Sequence, residues 1–131
     1  MQFKTDTKEK FHAITLSGPS LSASMTEELV QALTPYLQIG AAGQPALPKN
    51  VVLVMKDIEI VDNAAAEKLV ALQQLFYEHN ASFVIASLRK PVEDFLDKLE
   101  LLELMNVTPS ESEAWDIVQM EEIERELLDG E

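Results

Sequence analysis

The sequence has no cysteine, few basic residues and no long hydrophobic run. The lack of cysteine excludes disulfides, thiol nucleophiles and zinc–thiolate sites. Only 10 lysines and arginines stand against 23 aspartates and glutamates, which gives a net charge of −13. Nucleic acid and anionic membranes are therefore not expected as partners, because phosphate binding needs clustered basic residues, whereas a basic protein surface would be attracted. No apolar run approaches the ~20 residues that span a bilayer, and residues 1–4 lack a secretory pattern, so we expect a cytoplasmic protein.

The motifs that mark enzymes and cofactor sites are also missing. The chain has no phosphate-binding G-x-x-x-x-G-K-[ST] loop, no G-x-S-x-G, no dinucleotide-binding glycine fingerprint and no C-x-x-C. His12 and His79 stand alone, without the spaced partners that zinc or iron needs, and both are expected at the surface. We therefore expect no metal, no cofactor and no catalytic residue, and an enzyme is the least favoured class.

The hydrophobic pattern that is present predicts a single α/β domain. Residues 2–8 and 11–16 form two strand patterns joined by a Glu9-Lys10 turn, which predicts an antiparallel hairpin. The apolar runs 51–55 and 82–87 are typical of central strands covered on both faces, and 104–107 predicts a short last strand. The expected fold is a mixed sheet of four to five strands, with helices packed mainly on one side and a C-terminal helix.

Capping residues and breakers set the expected helix ends. Ser24 and Glu27 form an S-x-x-E capping box that predicts a helix start near Met25, and Pro35 predicts a kink or an early end. Residues 40–49, with two glycines and two prolines, predict a long loop. A second long helix is expected to end near His79, with Gln73 among its wetter positions. A third helix is expected to begin at Pro91 and the last after Ser110, which forms another capping box with Glu113.

The acidic C-terminus is expected to behave differently from the rest of the chain. We assign residues 1–120 to the domain and residues 121–131 to an acidic, amphipathic helical tail. Ile123, Leu127 and Leu128 extend an apolar stripe beyond what a small domain needs. A frayed, solvated tail and a docking helix are both compatible with this pattern.

The candidate site lies in the stretch from Ile58 to Leu69, where a strand turns directly into a helix. Such a turn leaves the first N–H groups of the helix free, and Asp62 and Asn63 are good N-cap residues for them. In a doubly wound fold this turn lies at the carboxyl ends of the strands, where partners and ligands usually bind. The plainer alternative is an N-capped helix packed by three alanines.

The order of the elements and the turn Ile60-Val61-Asp62-Asn63-Ala64-Ala65 resemble the STAS domain, and most closely the bacterial anti-sigma factor antagonists. In that family the turn reads Asp-Ser-Ser/Thr-Gly-Leu, and a partner kinase phosphorylates the second hydroxyl. Without the phosphate, the domain binds that kinase and frees a sigma factor. By position Asp62 matches the acidic residue, Asn63 the first serine and Ala64 the phosphorylated residue, whereas Ala65 and Ala66 replace Gly-Leu.

The resemblance implies a regulatory, non-enzymatic module whose partner is an anti-sigma factor, a serine-kinase-like protein or another regulatory protein of transcription. The expected partner-binding residues are Asp62, Asn63, Ala64, Ala65, Glu67 and Lys68. Ala64 has no oxygen, so the phosphorylation switch cannot operate there. One alternative is a small-molecule or anion-sensing domain, against which the charge of Asp62 argues. The other is an oligomerising scaffold component in which the tail bundles with a partner, including a second copy.

Overall fold

A five-stranded mixed sheet forms the centre of the fold. The computed structural model describes residues 3–37 and 49–129. Its strands are β1 (Phe3–Thr7), β2 (Phe11–Leu16), β3 (Ser20–Leu21), β4 (Asn50–Val54), β5 (Ile60–Val61), β6 (Phe83–Ala86) and β7 (Val107–Thr108). The main sheet has the order β1-β2-β4-β6-β7, in which β1 and β2 are antiparallel and the other pairs are parallel. The predicted hairpin and mixed sheet are thus confirmed, and β3 and β5 form a separate two-stranded sheet.

Helices cover both faces of this sheet. They are α1 (Ala23–Leu33), α2 (Asn63–Glu78), α3 (Lys90–Lys98) and α4 (Glu111–Asp129). Helices α1, α2 and α3 share the larger core, whereas Ala114 and Val118 of α4 pack on the opposite face. This arrangement confirms the expected layer of helices on one side with a separate C-terminal helix. None of the helices in the described residues combines the length and hydropathy that a membrane crossing requires.

Strand β4 explains why its sequence is apolar without alternation. All five of its residues are buried. Successive side chains of a strand point to opposite faces, so Val51 and Leu53 enter the larger core while Val52 and Val54 enter the smaller one. Because neighbouring strands flank it on both edges, β4 holds the centre of the sheet, as the sequence predicts.

Several predicted boundaries shift. Helix α1 begins at Ala23 and is capped by Ser22, whose Oγ accepts a hydrogen bond from the Met25 N–H at 3.4 Å. The prediction of Ser24 as the cap was wrong, because pairing of β3 ends at Leu21 and brings the chain into the helix two residues earlier. The early end at Pro35 is confirmed, since α1 stops at Leu33 and a 3-10 turn, Thr34–Leu37, follows.

Of the predicted boundaries in the C-terminal half of the chain, some are confirmed and others are wrong. The predicted short last strand is present as β7, but its bounds of 104–107 were wrong. Leu102–Leu104 forms a 3-10 turn, and the strand begins only where Val107 pairs with Ile85. The predicted start of the last helix after Ser110 is confirmed, and the Glu113 N–H donates to the Ser110 Oγ at 3.3 Å, which is one of the two bonds of the capping box. The loop predicted at 40–49 lies outside the described residues, apart from Lys49. Helix α4 continues past residue 120, and the division of the chain there stays a prediction.

Two polar residues that were expected at the surface are buried. His12 is only 3% exposed. Its ring stacks on Tyr36 with centroids 4.0 Å apart, and its Nδ1 lies 2.9 Å from the Thr7 Oγ1. Gln73 is also buried, where it donates to the Leu104 carbonyl and accepts from the Asn106 N–H, both at 2.8 Å. His79 is exposed, as predicted.

A polar cluster joins the second half of α4 to the edge of the sheet where β4 and β6 begin. The buried Asn50 amide donates to the Lys10 carbonyl and to the Glu122 carboxylate, both at 2.9 Å. Its oxygen accepts from the Ser82 N–H at 2.7 Å and from Arg125 at 3.2 Å. Arg125 also binds Glu122 at 2.9 Å. Hydrogen bonds rather than apolar packing therefore anchor this part of α4.

The neighbouring turn of α4 uses the same kind of contact. Glu121 accepts from the Tyr77 hydroxyl at 2.7 Å and from the Ser82 hydroxyl at 2.6 Å. Burial, together with this bond to a carboxylate, raises the pKa of the Tyr77 hydroxyl. The tyrosine therefore stays a neutral donor to Glu121 at neutral pH.

We predict that the Glu122 contact makes stability depend on pH. Burial alone raises the pKa of Glu122, but the hydrogen bonds from Asn50 and Arg125 and the arginine charge outweigh it and lower the pKa. Because the folded-state pKa is below the unfolded one, the stabilisation is complete at neutral pH and is lost as the pH falls below about 5. Glu122→Gln should cost about 1 kcal/mol at pH 7 and progressively less below pH 5. Urea unfolding across that range checks this, and a constant difference between the two chains would contradict it.

Candidate functional site

The small β3–β5 sheet places two helix N-termini side by side. Ser20 pairs with Ile60 and Leu21 with Val61, in parallel. Each of these strands leads within one residue into a helix, β3 into α1 and β5 into α2. The Asp62 N–H donates to the Leu21 carbonyl at 3.2 Å and extends the pairing to the point where α2 begins. Two sets of free helix N–H groups therefore open on the same side of the domain.

Asp62 connects these two N-termini through its carboxylate. Its Oδ1 accepts from the Ala65 N–H of α2 at 2.7 Å, which confirms the predicted N-cap. Its Oδ2 accepts from the Ala23 N–H of α1 at 3.2 Å, a contact that the sequence did not predict. The backbone at Asp62 is extended, as N-cap geometry requires. One side chain thus fixes the turn relative to both helices.

Removing this carboxylate should destabilise the fold measurably. We expect Asp62→Ala to lower the free energy of unfolding by about 2 kcal/mol, because two helix N–H groups lose their acceptor. Asp62→Asn should lower it by less than about 1 kcal/mol, since asparagine is an equally good N-cap. Urea denaturation compares the three chains. Equal losses in the alanine and asparagine variants would show that charge rather than capping is what matters.

The predicted partner-binding residues differ in how much of each side chain is exposed to solvent. Asp62, Asn63, Ala64 and Glu67 are exposed. Lys68 is half-buried and forms an ion pair with Glu27 of α1, which ties the two helices together one turn further along. Ala65 is fully buried in the larger core, so its side chain packs beneath the turn and does not form part of its surface. The small size of Ala65 allows α2 to lie close to its neighbours.

Ile60 is the residue of this region that the sequence analysis missed. Its side chain is 63% exposed, whereas Ile58, two residues before it, and Val61, directly after it, are buried. It borders a shallow groove of about 230 Å³ whose other lining residues are Glu59, Val61, Pro91, Val92 and Phe95. Its exposure follows from its place in the two-residue strand β5, where neighbouring side chains face opposite ways, and the sequence alone carries no signal for it.

Charges around the turn are mixed at the groove and acidic at the helix ends. Arg89 donates to the Lys56 carbonyl at 2.7 Å, and its guanidinium lies 4.0 Å from the Glu59 carboxylate. Asp62 already accepts from one N–H group of each helix, and its negative charge lies where an anion would bind. Within residues 3–37 and 49–129, no cluster of three or more metal-ligating side chains occurs. What the arrangement offers is an exposed apolar residue beside a rigid polar turn.

The match to known families covers most of the chain. Residues 2–114 match the model of the STAS domain. No curated protein sequence matches the chain significantly. Solved structures do resemble it, and three of them come from different bacteria.

An anti-sigma factor antagonist from Mycobacterium paratuberculosis superposes with a TM-score of 0.71 at 13% identity, over 90% of this chain and 93% of that one. A STAS domain protein from Planctomyces limnophilus superposes with a TM-score of 0.70 at 15% identity, over 89% of this chain and 97% of that one. A candidate anti-sigma factor antagonist from Thermotoga maritima superposes with a TM-score of 0.68 at 18% identity, over 89% of this chain and 94% of that one. At these identities the structures show a shared fold, and the family model adds agreement at the level of sequence. The chain therefore belongs to the STAS domain family.

Proposed function

We propose that the protein is a non-enzymatic regulatory module that binds a partner protein through the β5–α2 turn. Its contact surface, which we call the turn surface, consists of Ile60, Asp62, Asn63, Ala64 and Glu67. The observation that carries the proposal is the exposed Ile60 beside the exposed Asn63 and Ala64, on a turn held by a carboxylate that caps two helices. Binding hot spots usually combine such an apolar anchor with a preorganised backbone and polar surroundings.

The class of partner is inferred from the family. Structural relatives of this chain are anti-sigma factor antagonists, and the proposed partner is an anti-sigma factor or a related serine-kinase-like protein in the cytoplasm. The net charge of −13 would speed the encounter with a partner that presents a basic patch. The described surface offers the small groove beside Ile60 to an apolar side chain of that partner.

Because of Ala64, the proposed module cannot be switched by phosphorylation at this position. Ala64 is exposed in the first turn of α2. We take it as the counterpart of the hydroxyl that is phosphorylated in the family. A phosphate there would add about −1.5 to −2 charges beside Asp62. A methyl group cannot accept one, so binding at the turn surface would be controlled by the amount of protein or by the state of its partner.

Replacing the exposed apolar residue tests the docking surface. We expect Ile60→Ser to weaken binding of the partner by about tenfold or more, because an exposed apolar anchor contributes about 1.4 kcal/mol or more at an interface. Leu104→Ser is the matched control, since Leu104 is 53% exposed and lies on the 3-10 turn before β7, away from Asp62. Affinity capture from the source cells, followed by titration of the captured partner, measures both. Equal capture by wild type and Ile60→Ser would contradict the proposal.

A further inference from the structure

The second half of α4 turns its polar side toward the domain and its apolar side toward solvent. Glu121, Glu122 and Arg125 make the inward contacts with the sheet edge and α2. Met120 and Leu127 lie on the opposite side with Ile123, and these three side chains are 59%, 68% and 49% exposed. This is the reverse of an ordinary surface helix, whose apolar side faces the core.

The three apolar residues form one continuous stripe. Their spacing of three and then four residues places them above one another on a helix that advances 100° per residue. We call Met120, Ile123 and Leu127 the outer stripe. A stripe with this spacing is the pattern by which one helix packs along another.

The charges that border the outer stripe indicate which kind of partner helix can pack against it. The outer stripe is bordered by Glu124 and Glu126, both exposed, whereas Arg125 is turned inward and bound to Glu122, Asn50 and Ser82. Two copies of α4 packed along this stripe would bring carboxylates against carboxylates, which is unfavourable. A helix with an apolar face bordered by lysine or arginine would instead be paired on both sides.

We propose that the outer stripe is the docking site for a basic, amphipathic helix of a partner protein. The site lies beside the start of β4 and β6, where Glu122 bonds to Asn50 and Glu121 to Ser82. Glu121 also contacts Tyr77 near the end of α2, whereas the turn surface lies where that helix begins. A partner held there leaves the turn surface free. This inference does not depend on the proposed function, and the chain could carry two different proteins at once.

The test uses the full chain and a synthetic peptide of about 18 leucines and lysines arranged as an amphipathic helix. Fluorescence anisotropy measures its affinity for wild type and for the double variant Ile123→Gln/Leu127→Gln. Glutamine is a good helix former, so α4 should persist, and an unchanged urea midpoint verifies this. We expect the double variant to bind at least about tenfold more weakly.

Two controls separate the stripe from general attraction to an acidic protein. Ile60→Gln alters the turn surface and should leave peptide affinity unchanged. A scrambled peptide of the same composition, which has no apolar face, should bind wild type at least about tenfold more weakly. Equal binding of both peptides, or of wild type and the double variant, would overturn the proposal. So would light scattering that shows a dimer in wild type and a monomer in the double variant, because a second copy would then cover the stripe.

Discussion

Replacing Ala64 with glutamate should weaken binding of the partner by about a hundredfold, the largest effect on binding that we expect from one substitution. Ala64 is exposed in the first turn of α2, next to the cap Asp62 and beside Asn63. A carboxylate placed there must give up its hydration when a partner covers the turn, and it adds charge close to Asp62. The folded state should not suffer, because an acidic side chain in the first turn of a helix is favourable. Loss of binding would therefore report on the interface and not on unfolding.

Matched variants make this result interpretable. Ala71→Glu introduces the same change at another exposed position of α2, about 10 Å further along the helix axis, and should leave affinity nearly unchanged. Ala64→Ser should bind as tightly as wild type until a kinase phosphorylates it. Titration calorimetry with the captured partner compares the four chains. Equal affinity of Ala64→Glu and wild type, or phosphate on Ser22 or Ser24 of the natural chain that abolishes binding, would contradict a permanently active turn surface.

Gly18→Ala should produce the largest loss of stability, about 3 kcal/mol. A Cβ added at Gly18 would overlap the carbonyl oxygen of Asp57 and lie 2.8 Å from its carbon. Both atoms belong to the backbone, so no side chain can rotate away to make room. The strain falls next to the point where the Pro19 carbonyl accepts from the N–H groups of Glu59 and Ile60, at 2.7 and 3.1 Å. Displacement of this segment would disturb β3–β5 pairing and the two hydrogen bonds that Asp62 accepts from Ala23 and Ala65.

Urea unfolding measures this loss, with Ser17→Ala as the neighbouring control that should stay within about 0.5 kcal/mol of wild type. Because the same segment positions the turn surface, Gly18→Ala should also weaken partner binding under conditions where it remains folded. A variant as stable as wild type would show that the two backbone segments do not need their close approach.

Local patterns in the sequence predicted the elements that local physics determines. Strand β4 is buried on both faces, and its sequence is therefore apolar from Val51 to Val54. The cap Asp62 directly precedes α2, whose apolar residues recur at helical spacing, so both signals lie within one short stretch of sequence. The cap was predictable because it bonds within its own helix. Its second bond, to the Ala23 N–H, was not, because 39 residues separate the two partners.

The features that the sequence did not reveal depend on distant partners. Strands β3 and β5 have two residues each, too few to show an alternating pattern. His12 and Gln73 were placed at the surface as polar residues, but Tyr36 covers one, and the backbone of Leu104 and Asn106 satisfies the other. The exposure of Ile60 also follows from β3–β5 pairing, so the apolar half of the turn surface could be found only in three dimensions.

Amide hydrogen exchange of the complex with its captured partner tests the turn surface most directly. The bound chain should exchange more slowly than the free chain at residues 60–68 and at 22–25, where the two helices begin. Residues 71–78, in the later turns of α2, serve as the internal reference and should be unchanged. Protection confined to other parts of the chain, with residues 60–68 exchanging equally in the free and bound states, would contradict the proposed docking surface.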